Sequence, residues 1–153
     1  MRSERIEPLL RFREVREEER RREATEAERR LHAQDAHIQA IEGRIDDVAS
    51  ALRMQSLAGM DAAEIGLHEE HLAALRNQRR LALAARSEMA RDRDVHLTRL
   101  VAAHRDRRLV ENLHERAVVS ERNEALRVER GIATELAVLS SIRRGDTETR
   151  SAS

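Results

Sequence analysis

Apolar residues recur every seven positions between residues 31 and 52, and this repeat constrains the fold more than any other feature. Intervening positions add a second apolar column, so the spacing alternates between three and four residues. The two columns comprise Leu31, Ile38, Ile45 and Leu52, and Ile41 and Val48. This 3-4 spacing gathers the side chains into one narrow stripe on a helix, as in a coiled-coil seam. The sequence therefore predicts long helices that pair through narrow seams.

The composition excludes a thick globular core. Phe12 is the only aromatic residue, and 38% of the residues are charged. The remaining apolar side chains are sufficient to line helix seams and little more. Disorder is disfavoured as well, because the chain has one proline and five glycines and keeps its apolar periodicity.

Charge and targeting signals narrow the classes of function that the chain could have. All 29 basic residues are arginine, and 29 acids balance them, so no strong attraction to nucleic acid follows. Acids interleave with every arginine cluster, which disfavours a DNA-binding zipper. There is no cysteine, no apolar run of about 20 residues and no apolar signal-peptide core. We expect a cytoplasmic protein without direct membrane insertion.

Helix signals divide the chain at residues 58–61. The first helix is predicted from about residue 7, beside Pro8, to residue 57. Gly59 suits a turn, and Asp61 followed by Glu64 resembles a capping box. The second helix is predicted over about residues 62–144, with Gly145 as its C-cap. Residues 1–145 then form one domain, and the polar residues 146–153 are expected to be disordered.

A short connection between two long helices predicts antiparallel neighbours. Folding about Gly59 places residue i opposite residue 118 − i, which brings together an apolar cluster near the turn. This turn cluster comprises Ile41, Ile45, Val48, Leu72 and Leu75. The predicted fold is all-α, a two-helix antiparallel coiled-coil hairpin with an overhanging C-terminal helix, in which residues 118–144 lack an intramolecular partner.

A second heptad repeat lies in this overhanging helix. Its positions, here named the apolar face, are Val118, Ala125, Val128, Ile132, Leu139 and Ile142. An exposed seam of this length indicates a partner, either a different protein or a second copy of the chain. Glu121 and Glu135 interrupt the seam and disfavour a homodimer unless they are paired.

Catalytic and metal-binding patterns are weak. Glu64, His68 and His71 have a spacing that suits zinc on one helical face, but a solvated face is the simpler interpretation. No phosphate-binding glycine loop or nucleophile elbow is present. We therefore expect no enzymatic activity, no cofactor and no bound metal.

Two segments resemble the FliJ family, which belongs to the bacterial flagellar type III export apparatus. Residues 6–19 read IEPLLRFREVREEE and are similar to the paired leucines and Arg-Glu-rich helix of that family. Residues 111–116 (ENLHER) and 127–137 (RVERGIATELA) resemble its C-terminal helix, although Thr134 stands where the family commonly has Asp. The resemblance covers most of the chain.

This resemblance implies a coiled-coil stalk that binds the export ATPase ring, the export gate membrane protein and export chaperones. The apolar face would contact the ring, and the protein would be peripherally associated with the inner-membrane export apparatus. The turn cluster would contact the gate, although packing between the two helices is the favoured interpretation of this cluster. The family's aromatic residues near the turn are absent, with Arg44 and His68 at matching places. Alternatives are a homodimeric structural coiled coil, the equivalent stalk of a virulence secretion system and, less favoured, a nucleic-acid-binding zipper.

Overall fold

Two long helices make up the fold. The computed structural model describes residues 2–152, so Met1 and Ser153, which the predicted domain and tail include, lie outside the described residues. α1 spans Ser3–Leu57 and α2 spans Ala62–Ser151. The helices pack together without any strand in residues 2–152, which confirms the predicted all-α hairpin. Neither helix, over these residues, is long and apolar enough to cross a membrane.

Backbone geometry at the turn follows from one glycine and one aspartate. Gly59 has a φ of 96°, which a residue without a Cβ adopts without strain. Met60 N–H donates to the Gln55 carbonyl and Gly59 N–H to the Ser56 carbonyl, the bond pair of a Schellman motif. Asp61 Oδ1 then accepts from Glu64 N–H at 2.8 Å and caps α2. Both predicted roles, the Gly59 turn and the Asp61 cap, are confirmed.

The start of α1 differs from the expectation. The helix begins at Ser3, so Pro8 lies inside it and not in its first turn. Glu121 explains the earlier start, because its carboxylate accepts from Ser3 N–H at 2.6 Å and from Ser3 Oγ at 2.7 Å. An acidic side chain therefore caps this N-terminus from the other helix, satisfying an amide that would otherwise lack a partner.

The end of α2 also differs. The helix passes through Gly145 and continues to Ser151, where the sequence predicted a C-cap and a disordered tail. Gly145 has no positive φ. The hydroxyls of Thr147 and Thr149 hydrogen-bond to the carbonyls of Arg143 and Gly145, so polar side chains that favour loops bond within this helix.

Contacts divide the chain into two units, of which residues 16–104 form one. Its helices meet through a seam in which Leu31, Leu72 and Leu75 are buried. Ile38, Ile41 and Ala82 form a core cluster, and Ile45 packs against it. The predicted heptad of the first helix therefore lines the seam of this unit.

Ion pairs along the same unit fix the register of the helices. Asp35 pairs with Arg86, Glu42 with Arg79 at 2.9 Å, and Glu28 with Arg93 at 3.7 Å. The three acids on α1 are seven residues apart, as are the three arginines on α2. Each pair places residue i opposite residue 121 − i, so the predicted register is wrong by three residues, most of a helical turn. We name these pairs the ion-pair ladder.

The other unit contains residues 1–15 and 105–153. Ile6, Val110 and Ala117 form its buried cluster, with Leu10 packed against it. Arg13 Nη1 lies 3.3 Å from Asp106 Oδ2 across the two helices. Within residues 2–152, the contact between Ser3, where α1 begins, and Glu121 is the farthest along α2 that α1 reaches. The unpaired segment of α2 therefore begins at residue 122, and not at residue 118 as predicted.

Candidate protein-binding surface

The apolar face lies on the surface of α2. Val118 is 43% exposed, and the four members of the face beyond Ala125 are between 54% and 57% exposed. Every residue from 122 to 152 is exposed, Ala125 among them. Side chains of this size lose about half of their surface to neighbours on their own helix, and the remainder is in water. All six predicted residues therefore share one solvated helical surface.

Only one of the two columns of this face departs from the seam between the helices, because Val128 and Ile142 lie in helical phase with Glu121, which contacts Ser3 of α1. Val110 and Ala117 are buried seven residues apart, and the same column continues through Glu124, Gly131 and Val138. Val118, Ala125, Ile132 and Leu139 each lie one residue later, which turns them by about 100° around the axis. Val118 is consequently exposed although Ala117 beside it is buried. A longer α1 would therefore leave this column uncovered.

The two acids that interrupt the apolar face have different surroundings. Glu121 caps α1, and the hydrogen bonds from the Ser3 hydroxyl and amide lower the pKa of its carboxyl. Glu135 is exposed, in helical phase with Val128 and Ile142. Only Glu135 therefore presents its carboxylate in the middle of the exposed apolar face.

Most of the turn cluster is inside the seam. Ile41, Leu72 and Leu75 are buried, with Ile41 only 1% exposed, and Ile45 and Val48 are half-buried. These side chains hold α1 against α2 within the unit of residues 16–104. A partner could reach these three side chains only after the helices separate, because none of them is more than 6% exposed.

Other apolar side chains near the turn are exposed instead. Met54, Leu57 and Leu67 are 73%, 89% and 67% exposed. They lie within the last turn of α1 and the second turn of α2. The sequence analysis did not select them, because they fall outside the heptad columns and the search followed those columns. Apolar residues that lie close to the turn but outside the heptad columns are the sequence signal that would have identified them.

Glu17 is a buried charged residue that the sequence analysis also missed. Its side chain is 6% exposed and lies between Arg21 Nη2 at 3.2 Å and His104 Nδ1 at 3.0 Å. Burial of a carboxylate is stabilising only when such partners are present. Residues 16–23 contain no apolar side chain, and Glu17 therefore occupies a seam position that an apolar residue would otherwise fill.

Possible metal ligands do not converge. Glu64, His68 and His71 lie on the first turns of α2, and His68 is half-buried. Within residues 2–152 no three His, Asp or Glu side chains are placed to hold a metal ion. This part of the surface consequently offers no metal site in its present geometry.

Comparison with known proteins assigns the family. The family model described as flagellar FliJ protein matches residues 1–146, almost the whole chain. No curated protein and no solved structure gave a significant match. The matched region includes all of α1, α2 as far as residue 146 and the whole apolar face. The chain therefore belongs to the flagellar FliJ protein family, whose members are components of the flagellar protein export apparatus.

Proposed function

We propose that the protein is a non-catalytic stalk of the flagellar export apparatus and that its apolar face binds the export ATPase ring. The exposure of this face carries the proposal. Six apolar residues recur with heptad spacing on α2, from Val118 to Ile142, and all of them are solvated. A repeat this regular on a helix without an intramolecular partner favours docking against another protein.

The geometry of α2 supports the same proposal. The column of Val118, Ala125, Ile132 and Leu139 is offset by one residue from the buried column of Val110 and Ala117. A face that merely continued the hairpin seam would indicate a shortened α1. The offset column therefore indicates a binding surface separate from the seam, whereas Val128 and Ile142, in phase with Glu121, extend the line of the seam itself.

We assign contact with the export gate to the exposed side chains at the turn. Met54, Leu57 and Leu67 are accessible, whereas Ile41, Leu72 and Leu75 are occupied in the seam. Docking on the exposed side chains leaves the hairpin intact and therefore requires no separation of its helices. Export chaperones complete the proposed set of partners, and peripheral association with the inner membrane would follow from the gate contact.

A pull-down against the export ATPase tests the proposal. Replacing both Ile132 and Leu139 by Asp places two charges in the contact, and each is expected to weaken binding at least about tenfold. We expect the double variant to lose the ATPase. Circular dichroism of the same variant should still report a folded hairpin, because both positions are remote from the seam and distant sites act independently.

The matched control replaces Val119 and Leu126 by Asp. These residues are exposed on the opposite side of the same helix, so the control adds equal charge outside the apolar face. It should bind the ATPase like the wild-type protein. Normal binding by the Ile132 and Leu139 variant, or equal loss in both variants, would refute docking through this face.

A further inference from the structure

We infer that the apolar face also pairs with the same face of a second copy of the chain, in an antiparallel arrangement. The central part of the unpaired segment, residues 136–142, contains no charged residue. Glu129, Arg130 and Glu135 precede it, and Arg143, Arg144 and Asp146 follow it. Reversing one copy against the other can bring Glu129 beside Arg143 of the second copy at both ends of the uncharged stretch.

One register matches both the heptads and the charges. It places Ile132 opposite Ile142 of the second copy, and Leu136 beside the second copy's Leu136 at the twofold axis. In antiparallel coiled coils the positions that flank the seam pair with each other. In this register Glu129 of one copy lies beside Arg143 of the second copy, and the twofold symmetry gives a second, equivalent pair. Arg122 and Arg150 approach each other only at the ends of the pairing, where helices fray.

Neighbouring registers are less favourable. Sliding one copy by a heptad places Arg122 beside Arg143 of the second copy in one direction. The opposite slide places Glu135 against Asp146 in the seam. Like charges facing each other across a coiled coil disfavour that pairing. The charge pattern therefore selects one antiparallel register from three that keep the heptads aligned.

A parallel arrangement is disfavoured by the same residues. It would place Glu135 against Glu135 of the second copy within the seam. It would also place Glu124 beside Glu129 on both flanks. Each contact joins two acids, so the parallel homodimer has repulsion where the antiparallel homodimer has attraction.

Glu135 limits the stability of the antiparallel pair. It faces Leu139 of the second copy, and Asp146 faces Val128 in the same register. A carboxylate beside an apolar seam residue weakens a coiled coil. The homodimer is consequently weak and reversible. Because it covers the apolar face, a homodimer would withhold that face from any other protein until the copies separate. The inference depends on the exposed face alone and not on the proposed ATPase contact.

Sedimentation of the isolated full chain across the micromolar range tests the inference. The wild-type protein should show reversible dimerisation. Glu129→Arg and Arg143→Glu should each weaken self-association at least about tenfold, because each homodimer then contains two like-charge pairs. An equimolar mixture of the two variants should dimerise again, since each mixed pair contains opposite charges at both flanks.

Cysteine variants report the orientation, because the chain has no cysteine of its own. Ile132→Cys and Ile142→Cys chains should form disulfides with each other when mixed, and neither should cross-link alone. Antiparallel copies separate the two residues 132 by about 15 Å along the axis, too far for a disulfide. Cross-linking of each variant alone would indicate parallel pairing and overturn the proposal.

A monomeric wild-type chain at all these concentrations would also overturn the inference, as would unchanged self-association of both charge variants. Circular dichroism provides the folding control for each variant. None of these measurements includes the ATPase. The homodimer can therefore fail while the proposed function stands, and the pull-down can fail while the homodimer stands.

Discussion

Glu121 performs a task that its position on a coiled-coil seam would not suggest. It accepts two hydrogen bonds from Ser3 and so determines where α1 begins. A carboxylate near a helix N-terminus also favours the partial positive charge of the first amides. One side chain on α2 therefore replaces a local N-cap on α1.

Replacing Glu121 by Gln tests this role. Gln keeps an acceptor oxygen but loses the negative charge, so we expect the first turns of α1 to fray. Amide hydrogen exchange over residues 5 to 11 should become faster, while the exchange of residues in the seam of residues 16–104 stays unchanged. Glu124→Gln, an exposed acid on the next turn of α2, is the control. Equal exchange in both variants would contradict the capping role.

At the level of elements, burial distinguishes two classes of isoleucine. Ile41 is 1% exposed in the seam of residues 16–104, whereas Ile132 is 54% exposed on the apolar face. Ile41→Ala should lower the free energy of unfolding by about 2–4 kcal/mol, because it removes buried methyl groups and leaves a cavity. Ile132→Ala should lower it by less than about 1 kcal/mol.

Urea denaturation of both variants measures the difference. The ratio of the two effects matters more than either value, since the same substitution is made at one buried and one exposed helical position. A similar loss in both variants would mean that Ile132 belongs to an intramolecular core. It would then be unavailable to the ATPase and to a second copy.

The sequence could predict those elements that depend on spacing within one helix. The heptad of Ile38 and Ile45, the turn at Gly59 and the cap at Asp61 are local patterns, and the structure contains each of them. The exposed column from Val118 to Leu139 could also be predicted, because the second helix was predicted to be much longer than the first. Local periodicity is therefore sufficient to predict the two-helix fold.

Features that depend on contacts between helices could not be predicted from the same patterns. The register differs by three residues from the predicted one, and only the paired positions in the ion-pair ladder, such as Asp35 and Arg86, reveal the shift. The cap that Glu121 provides for Ser3 joins residues 118 positions apart. Polar residues 146–151 favour loops by composition, yet they continue the helix. Each case requires a neighbour that the local sequence does not specify.

Considered as a whole, the molecule has no net charge but an ordered distribution of charges. In the unit of residues 16–104 the ion-pair ladder joins acids of α1 to arginines of α2. The hydrogen bond from Arg86 lowers the pKa of Asp35, and the hydrogen bond from Arg20 lowers the pKa of Glu23. Ser3 has the same effect on Glu121 in the other unit.

These pKa shifts predict lower stability in acid. A carboxyl whose pKa is lower in the folded state stabilises that state above the unfolded pKa, and this contribution disappears as the pH falls through the folded pKa. The melting temperature should therefore decrease below about pH 4, and high salt should reduce the difference. Asp35→Asn should lower the melting temperature at neutral pH and flatten its pH dependence, whereas the exposed Asp146→Asn should not. A melting temperature independent of pH between 6 and 3 would contradict the prediction.

The exposed column of Ile132 and Leu139 is offset by one residue from the buried column of Val110 and Ala117. The direction in which the exposed column points therefore depends on the number of helical residues that precede it. Each residue inserted between Glu121 and Ala125 rotates everything beyond it by about 100°, so a single insertion redirects the exposed column. Seven inserted residues return it to within about 20° of its starting direction and only carry it farther along the axis. Length can therefore change in whole heptads while the direction of the exposed column is kept.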